Sequence, residues 1–152
     1  MRTQVGIIGA GPAGLMLSHL LARSGIESIV LESRSREYVE MRVRAGVLEQ
    51  GSVDLLVQTG AGERLQREGM VHHGIELRFE GQGHRVPLTE LSGGRSIVVY
   101  GQQEVVKDLI RLRLASGGQV VFEGEAQTVD GLESDRPTVH FKRNGLTESL
   151  QC

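Results

Sequence analysis

Gly9-Ala10-Gly11-Pro12-Ala13-Gly14 is the first run in the chain whose residue types and spacing could do chemistry. It directly follows an apolar stretch, Gln4 to Ile8, and an acid, Glu32, stands 18 residues after its last glycine (32 − 14). Gly9 allows the backbone to turn sharply as it leaves a strand. Gly11 lets a diphosphate approach the main chain with no Cβ in the way, and Gly14 lets the next helix pack close to the strand. The N-terminus of that helix offers free N–H groups and partial positive charge to an anion. Pro12 in the first helical turn removes no useful donor. An acid ending the next strand accepts from ribose hydroxyls, at the spacing of an adenine dinucleotide site. A bare GxGxxG is weak evidence, and a tight strand-to-helix turn without nucleotide is the ordinary alternative. Here the glycines follow a strand, open a helix and are completed by Glu32.

A second group is basic. Arg34, Arg36, Arg42 and Arg44 lie within 11 residues, interleaved with Glu37 and Glu40. Arg34 and Arg36 are equally well read as a solvated loop. Arg42 and Arg44 alternate directly before Ala45-Gly46-Val47, so in an extended segment they face the same way. Two guanidiniums beside small residues suit a phosphate and a flat ring lying against backbone. The histidines His19, His84 and His140 are scattered, with no metal-ligand spacing, and read as structural or exposed; no metal site is expected. His72 lies beside His73 and, on its own, reads as a surface histidine.

These residues need elements to position them. Gln4 to Ile8 has little polar alternation, as in a strand covered on both faces. Leu15, Leu17, Leu20 and Leu21 then fall near helical spacing, with Gly25 past the helix end, and Ser28 to Glu32 is a second apolar strand. Residues 33 to 46 read as a loop with room for one helical turn. Val47 to Thr59 is predicted as a helix with Gly60 beyond it, although Gly51 inside a helix costs about 1 kcal/mol. Ile75 to Phe79 and His84 to Leu88 alternate like a ribbon around Gly81-Gln82-Gly83. A strand at Ile97 to Tyr100, a helix at Gln103 to Ser116 ended by Gly117-Gly118, and a strand from Val120 to Glu123 follow. The rest reads as a β-meander, with strands at Pro137 to Phe141 and Glu148 to Cys152 and a turn at Asn144-Gly145. The expected class is therefore α/β: a Rossmann-like βαβ unit with a parallel sheet, plus β-meander and ribbon.

The composition bounds the function classes. A length of 152 residues suits one ordinary domain. With no Trp and five other aromatics, the core must rest on Val, Leu and Ile. A net charge of −2 gives no field that would draw the chain to nucleic acid or a membrane surface. No apolar run reaches the roughly 18 residues of a membrane span. The single cysteine, Cys152, leaves no internal disulfide, which fits a reducing compartment such as the cytoplasm. The final strand stops without a tail, so a longer parent protein is expected.

Four segments carry a family resemblance: Met1–Leu15 (MRTQVGIIGAGPAGL), Arg42–Gly51 (RVRAGVLEQG), Leu91–Gly94 (LSGG) and Val99–Gln102 (VYGQ). Together they resemble the class A flavoprotein monooxygenases, the FAD-dependent aromatic hydroxylases, over essentially all 152 residues. RxRAGVLEQG is far more specific than the glycine motif. The resemblance implies FAD in the first βαβ unit, with Gly9, Gly11, Ala13, Gly14 and Glu32 around its ADP half and Glu32 on the adenosine ribose. It implies that Arg42, Val43, Arg44, Ala45, Gly46 and Val47 follow the cofactor, with Arg44 near the pyrophosphate, and that Gln102 also contacts FAD. Ala13 stands where serine is frequent in the family, so its contact must run through the backbone. NADPH, the implied co-substrate, has no Rossmann fold of its own; the stretch after Glu32 influences the choice between NADPH and NADH, Arg42 and Arg44 assist, and Arg34 and Arg36 could meet a 2′-phosphate. His72 matches the outer end of a proton relay from the substrate phenol. The implied reaction converts 4-hydroxybenzoate to 3,4-dihydroxybenzoate with NADPH and O₂, in a homodimer. Residues 1–152 would be the N-terminal part of the FAD-binding domain, truncated before the family's Asp-Gly segment, with the substrate domain and C-terminal part absent. Two alternatives remain: a non-catalytic nucleotide- or FAD-binding fragment, or another FAD-dependent aromatic monooxygenase.

Overall fold

The computed structural model describes residues 1–152. The first half runs β1 (Val5–Ile8), α1 (Pro12–Arg23), β2 (Ser28–Leu31), α2 (Arg36–Met41), β3 (Val47–Glu49), α3 (Gln50–Gln58), α4 (Glu63–Glu68) and β4 (Met70–His72). Then come β5 (Ile75–Phe79), β6 (Gln82–Val86), α5 (Leu88–Leu91), β7 (Ile97–Val99), α6 (Gln102–Ala115) and β8 (Gln119–Val121), and finally β9 (Glu125–Asp130), β10 (Thr138–Arg143) and β11 (Leu146–Gln151). The chain forms two units, 1–42 with 103–152, and 43–102.

The first unit is the expected βαβ arrangement. A parallel sheet has the order β1-β2-β8, with Val5 opposite Ser28 and Ile29 opposite Gln119. All four residues of β2 are buried, because the strand is covered on both faces. Ile29 and Leu31 face one side, packing with Val121, Val139, Phe141 and Leu150 in a core shared with the antiparallel sheet β11-β10-β9. Ser28 faces the other side, where its hydroxyl meets that of Ser18 on α1 at 2.9 Å. Asn144 and Gly145 turn the last hairpin with φ 50° and 76°, the left-handed pair that suits the twist of adjoining strands.

The second unit carries an antiparallel sheet of order β3-β7-β4, the ribbon β5–β6 and three short helices. Leu56, Ala61, Leu65, Val98 and Tyr100 are its buried hydrophobic residues. Two expectations need correction here. The helix predicted from Val47 begins at Gln50; Val47, Leu48 and Glu49 instead pair with Val99, Val98 and Ile97. The helical spacing of Val53, Leu56 and Val57 was extended backward over residues whose partners lie about fifty positions away. The later start also places Gly51 in the first turn, where it weakens the helix little. The ribbon's second strand spans Gln82–Val86, not 84–88, because Glu80 and Gly81 alone make the turn (φ 51° and 73°) and Leu88 opens α5. The short elements α4, β4 and α5 were not assigned from sequence.

Candidate cofactor site

The glycine-rich turn is built so that each glycine does something different. Gly9 leaves β1 with φ 105°, a conformation that disfavours side chains, and its N–H donates to the Leu31 carbonyl at 2.7 Å. This fastens the turn to the end of β2. Gly11 is the residue before α1, extended at φ −77° and ψ 176°. A Cβ there would meet nothing within 4 Å, so the backbone is open to an incoming group. Gly14 is the opposite case: a Cβ would overlap the Gly9 carbonyl and sit 3.2 Å from Ile7 Cγ2. The first helix is thus pressed against the first strand, and only glycine allows it.

The N-terminus of α1 has no side-chain cap and no acid in its first turn. Its first main-chain bond runs from Leu15 N–H to the Gly11 carbonyl at 3.0 Å. Pro12 has no N–H, so the Ala13 and Gly14 amides precede the helical ladder and need an outside acceptor. Glu32, just past β2, turns toward the same loop. Its Oε2 accepts from the Ala10 N–H at 2.8 Å, and its Oε1 accepts from the Arg34 N–H at 2.9 Å and the Ser33 hydroxyl at 3.3 Å. Open backbone at Gly11, uncapped amides and a fixed half-buried carboxylate fit the diphosphate and ribose of an adenine dinucleotide.

The basic segment is more ordered than a solvated loop. Ser35 caps α2 by accepting from the Tyr38 N–H at 3.2 Å. Arg36 is tied to Glu40 at 2.6 Å. Arg34 and Arg42 place their guanidinium carbons 5.4 and 5.6 Å from the centre of the Tyr38 ring, a cation–π arrangement on one exposed aromatic. Sequence reasoning passed over Tyr38, which stands in α2 four positions after Arg34, ahead of the helix, and four before Arg42, at its C-terminal cap.

In the second unit, Val43, Arg44, Ala45 and Val47 are exposed and Gly46 is half-buried. The Ala45 carbonyl accepts from the Gln102 N–H at 3.1 Å, and the Gly46 carbonyl accepts from the Tyr100 N–H at 2.7 Å. A Cβ on Gly46 would stand 3.2 Å from Gly101 Cα. The structure therefore brings residues 45–47 alongside 99–102, joining two of the four segments that carry the resemblance. His72 is exposed at the end of β4, opposite Ile97. Its neighbour His73 meets the Thr89 hydroxyl through Nδ1 at 3.1 Å.

Comparison with known proteins agrees with this geometry. Residues 2–152 match the family described as FAD binding domain. The p-hydroxybenzoate hydroxylase of Acinetobacter baylyi is 44% identical over 152 residues, which is 100% of this chain and 37% of that protein. A 12-dehydrotetracycline 5-monooxygenase/anhydrotetracycline 6-monooxygenase of Streptomyces rimosus is 31% identical over 91% of this chain and 27% of its own length. The chain thus spans 37% and 27% of the length of these two relatives. The crystal structure of p-nitrophenol 4-monooxygenase from Pseudomonas putida superimposes with a TM-score of 0.85 at 19% identity, covering 99% of this chain and 39% of that one, a likeness of fold. No helix is long and apolar enough to cross a membrane. With the match running from residue 2 to residue 152 and the glycine turn shaped for a diphosphate, the chain is a member of the FAD binding domain family.

Proposed function

We propose that this chain is the N-terminal part of the FAD-binding domain of a cytoplasmic, homodimeric aromatic hydroxylase that converts 4-hydroxybenzoate to 3,4-dihydroxybenzoate with NADPH and O₂. The observation that carries the reading is 44% identity to a p-hydroxybenzoate hydroxylase across every residue of the chain. FAD, when bound, supplies the redox chemistry. The residues here supply placement. Gly9 and Gly11 admit the diphosphate, the Ala13 and Gly14 amides donate to it, and Glu32 accepts from the adenosine ribose. Arg42, Val43, Arg44, Ala45, Gly46 and Val47 follow the cofactor, with Arg44 toward the pyrophosphate, and Gln102 adds a contact. His72 is the outer proton acceptor of a route that leaves the substrate phenol as phenolate, a better nucleophile. The NADPH assignment is supported by the basic residues after Glu32, where Arg34 and Arg42 flank Tyr38.

The test is oxidation of NADPH by the intact protein carrying FAD, followed with and without 4-hydroxybenzoate. Stimulation with 3,4-dihydroxybenzoate as product supports the reading; no stimulation by 4-hydroxybenzoate overturns the substrate. A second reading, a monooxygenase for a larger polycyclic phenol, draws on the 31% identity to the Streptomyces rimosus enzyme. It would be favoured by stimulation with such a phenol alone.

A further inference from the structure

At the opposite end of the parallel sheet from the glycine turn, where β1, β2 and β8 begin, lies a cavity of about 370 Å³. Its wall includes Arg2, Thr3, Glu27, Ser28, Arg113 and Gly118. Arg113 is the unusual member. It falls on the inward face of α6, in register with Val105, Val106, Leu109 and Ile110, and is only 7% exposed. Its Nη2 donates to the Ser28 carbonyl at 2.7 Å, with the Ser28 hydroxyl 3.4 Å away, while Nε is buried without any partner. Nearly every buried charge in a protein is paired, since an unpaired one forfeits its hydration. This guanidinium has no carboxylate beside it, and burial lowers its pKa from the ordinary arginine value.

The usual structural duty of such an arginine, satisfying the last carbonyls of a helix, is already performed by the backbone. Ser116, Gly117 and Gly118 N–H groups donate to the carbonyls of Leu112, Leu114 and Arg113, and the Ser116 hydroxyl adds a bond to the Arg113 carbonyl. At the end of α1, Ser24, Gly25 and Ile26 N–H groups do the same for Leu20, Ala22 and Leu21. Gly118 makes room for the side chain: a Cβ there would overlap the guanidinium. One further arginine, Arg2, stands on the wall against one carboxylate, Glu27.

We propose that this cavity binds a small oxyanion, of the phosphate or carboxylate class, that completes the Arg113 guanidinium. Nε is left without a partner, and its N–H can make a charge-assisted hydrogen bond to an oxyanion. The volume accommodates an organic phosphate or carboxylate, not only an inorganic ion. This site is independent of the flavin reading and stands on different residues.

The experiment is a titration of the full chain, ¹⁵N-labelled, following the side-chain Nε–Hε resonance of Arg113. Sodium phosphate and sodium acetate are added separately, each against sodium chloride at matched ionic strength. The proposal expects a saturable shift in phosphate or acetate that chloride does not produce, and the anion saturating at the lower concentration identifies the class. Arg2→Gln should weaken the midpoint about threefold, the scale of one exposed charge, without changing thermal stability. A resonance that moves no further in phosphate or acetate than in chloride overturns the proposal, and this readout does not require an Arg113 variant to fold.

Discussion

The Glu32 carboxylate accepts a hydrogen bond from the Ala10 backbone N–H at 2.8 Å, so the acid ending the second strand is fastened to the turn that leaves the first. The other oxygen is held by the Arg34 N–H and the Ser33 hydroxyl. Three donors on one half-buried carboxylate set its direction before any ligand arrives, which is the preorganisation a ribose contact needs. Glu32→Gln keeps the reach and removes the charge. FAD affinity should fall about tenfold, the value of one hydrogen bond to a charged group, and stability by about 1 kcal/mol. Flavin fluorescence titration and urea unfolding check the two numbers; an unchanged affinity would remove Glu32 from the site.

Two glycines three positions apart should respond in opposite ways. Gly11→Ala meets nothing within 4 Å and has an ordinary φ of −77°. Stability should hold or rise by about 0.5 kcal/mol, while the methyl occupies the diphosphate's approach and FAD binding falls. Gly14→Ala drives a methyl into the Gly9 carbonyl. It should lose about 1–3 kcal/mol of stability even without ligand. Thermal melts with and without FAD separate the cases, and equal melting losses in both variants would contradict this division of roles.

Phe141 is the largest fully buried side chain and joins Ile29 and Leu31 of the parallel sheet to Val139 and Leu150. Phe141→Ala should cost about 3–5 kcal/mol in urea unfolding. In a core with so few aromatics, a loss below about 1 kcal/mol would mean that the two sheets do not share this core.

Glu68 is expected to titrate below its ordinary value of 4.5, because the Arg64 side chain, then Arg67, hydrogen-bonds its carboxylate. A carboxylate whose folded pKa is lowered adds stability above the unfolded pKa and loses it as pH falls through the folded one. The change therefore lies on the acid side of 4.5. The group is exposed, so added salt should bring its pKa back up. Carboxyl ¹³C shifts during an acid titration at two salt concentrations measure both effects.

Much of this was legible in the primary structure because it is local. Gly9, Gly11 and Gly14 each announce a backbone requirement, and Asn144-Gly145 announces a hairpin. The β3 strand was hidden because Val47, Leu48 and Glu49 become a strand only through Ile97, Val98 and Val99. Tyr38 was hidden by reading its surroundings as loop, since its place between Arg34 and Arg42 depends on a helix capped by Ser35. Arg113 was readable in principle: positions 105, 106, 109, 110 and 113 share one helix face, and a charge continuing an apolar stripe points to a buried arginine.

The central claim is that the backbone amides opening α1 receive a diphosphate. The most direct measurement is amide NMR of the labelled chain during addition of FAD, with ADP as the half-molecule control. The account predicts saturable shifts of the Gly11, Ala13 and Gly14 N–H signals with both ligands, lost in Gly11→Ala. Binding that leaves those three amides unmoved, or no binding by the folded chain, would contradict it.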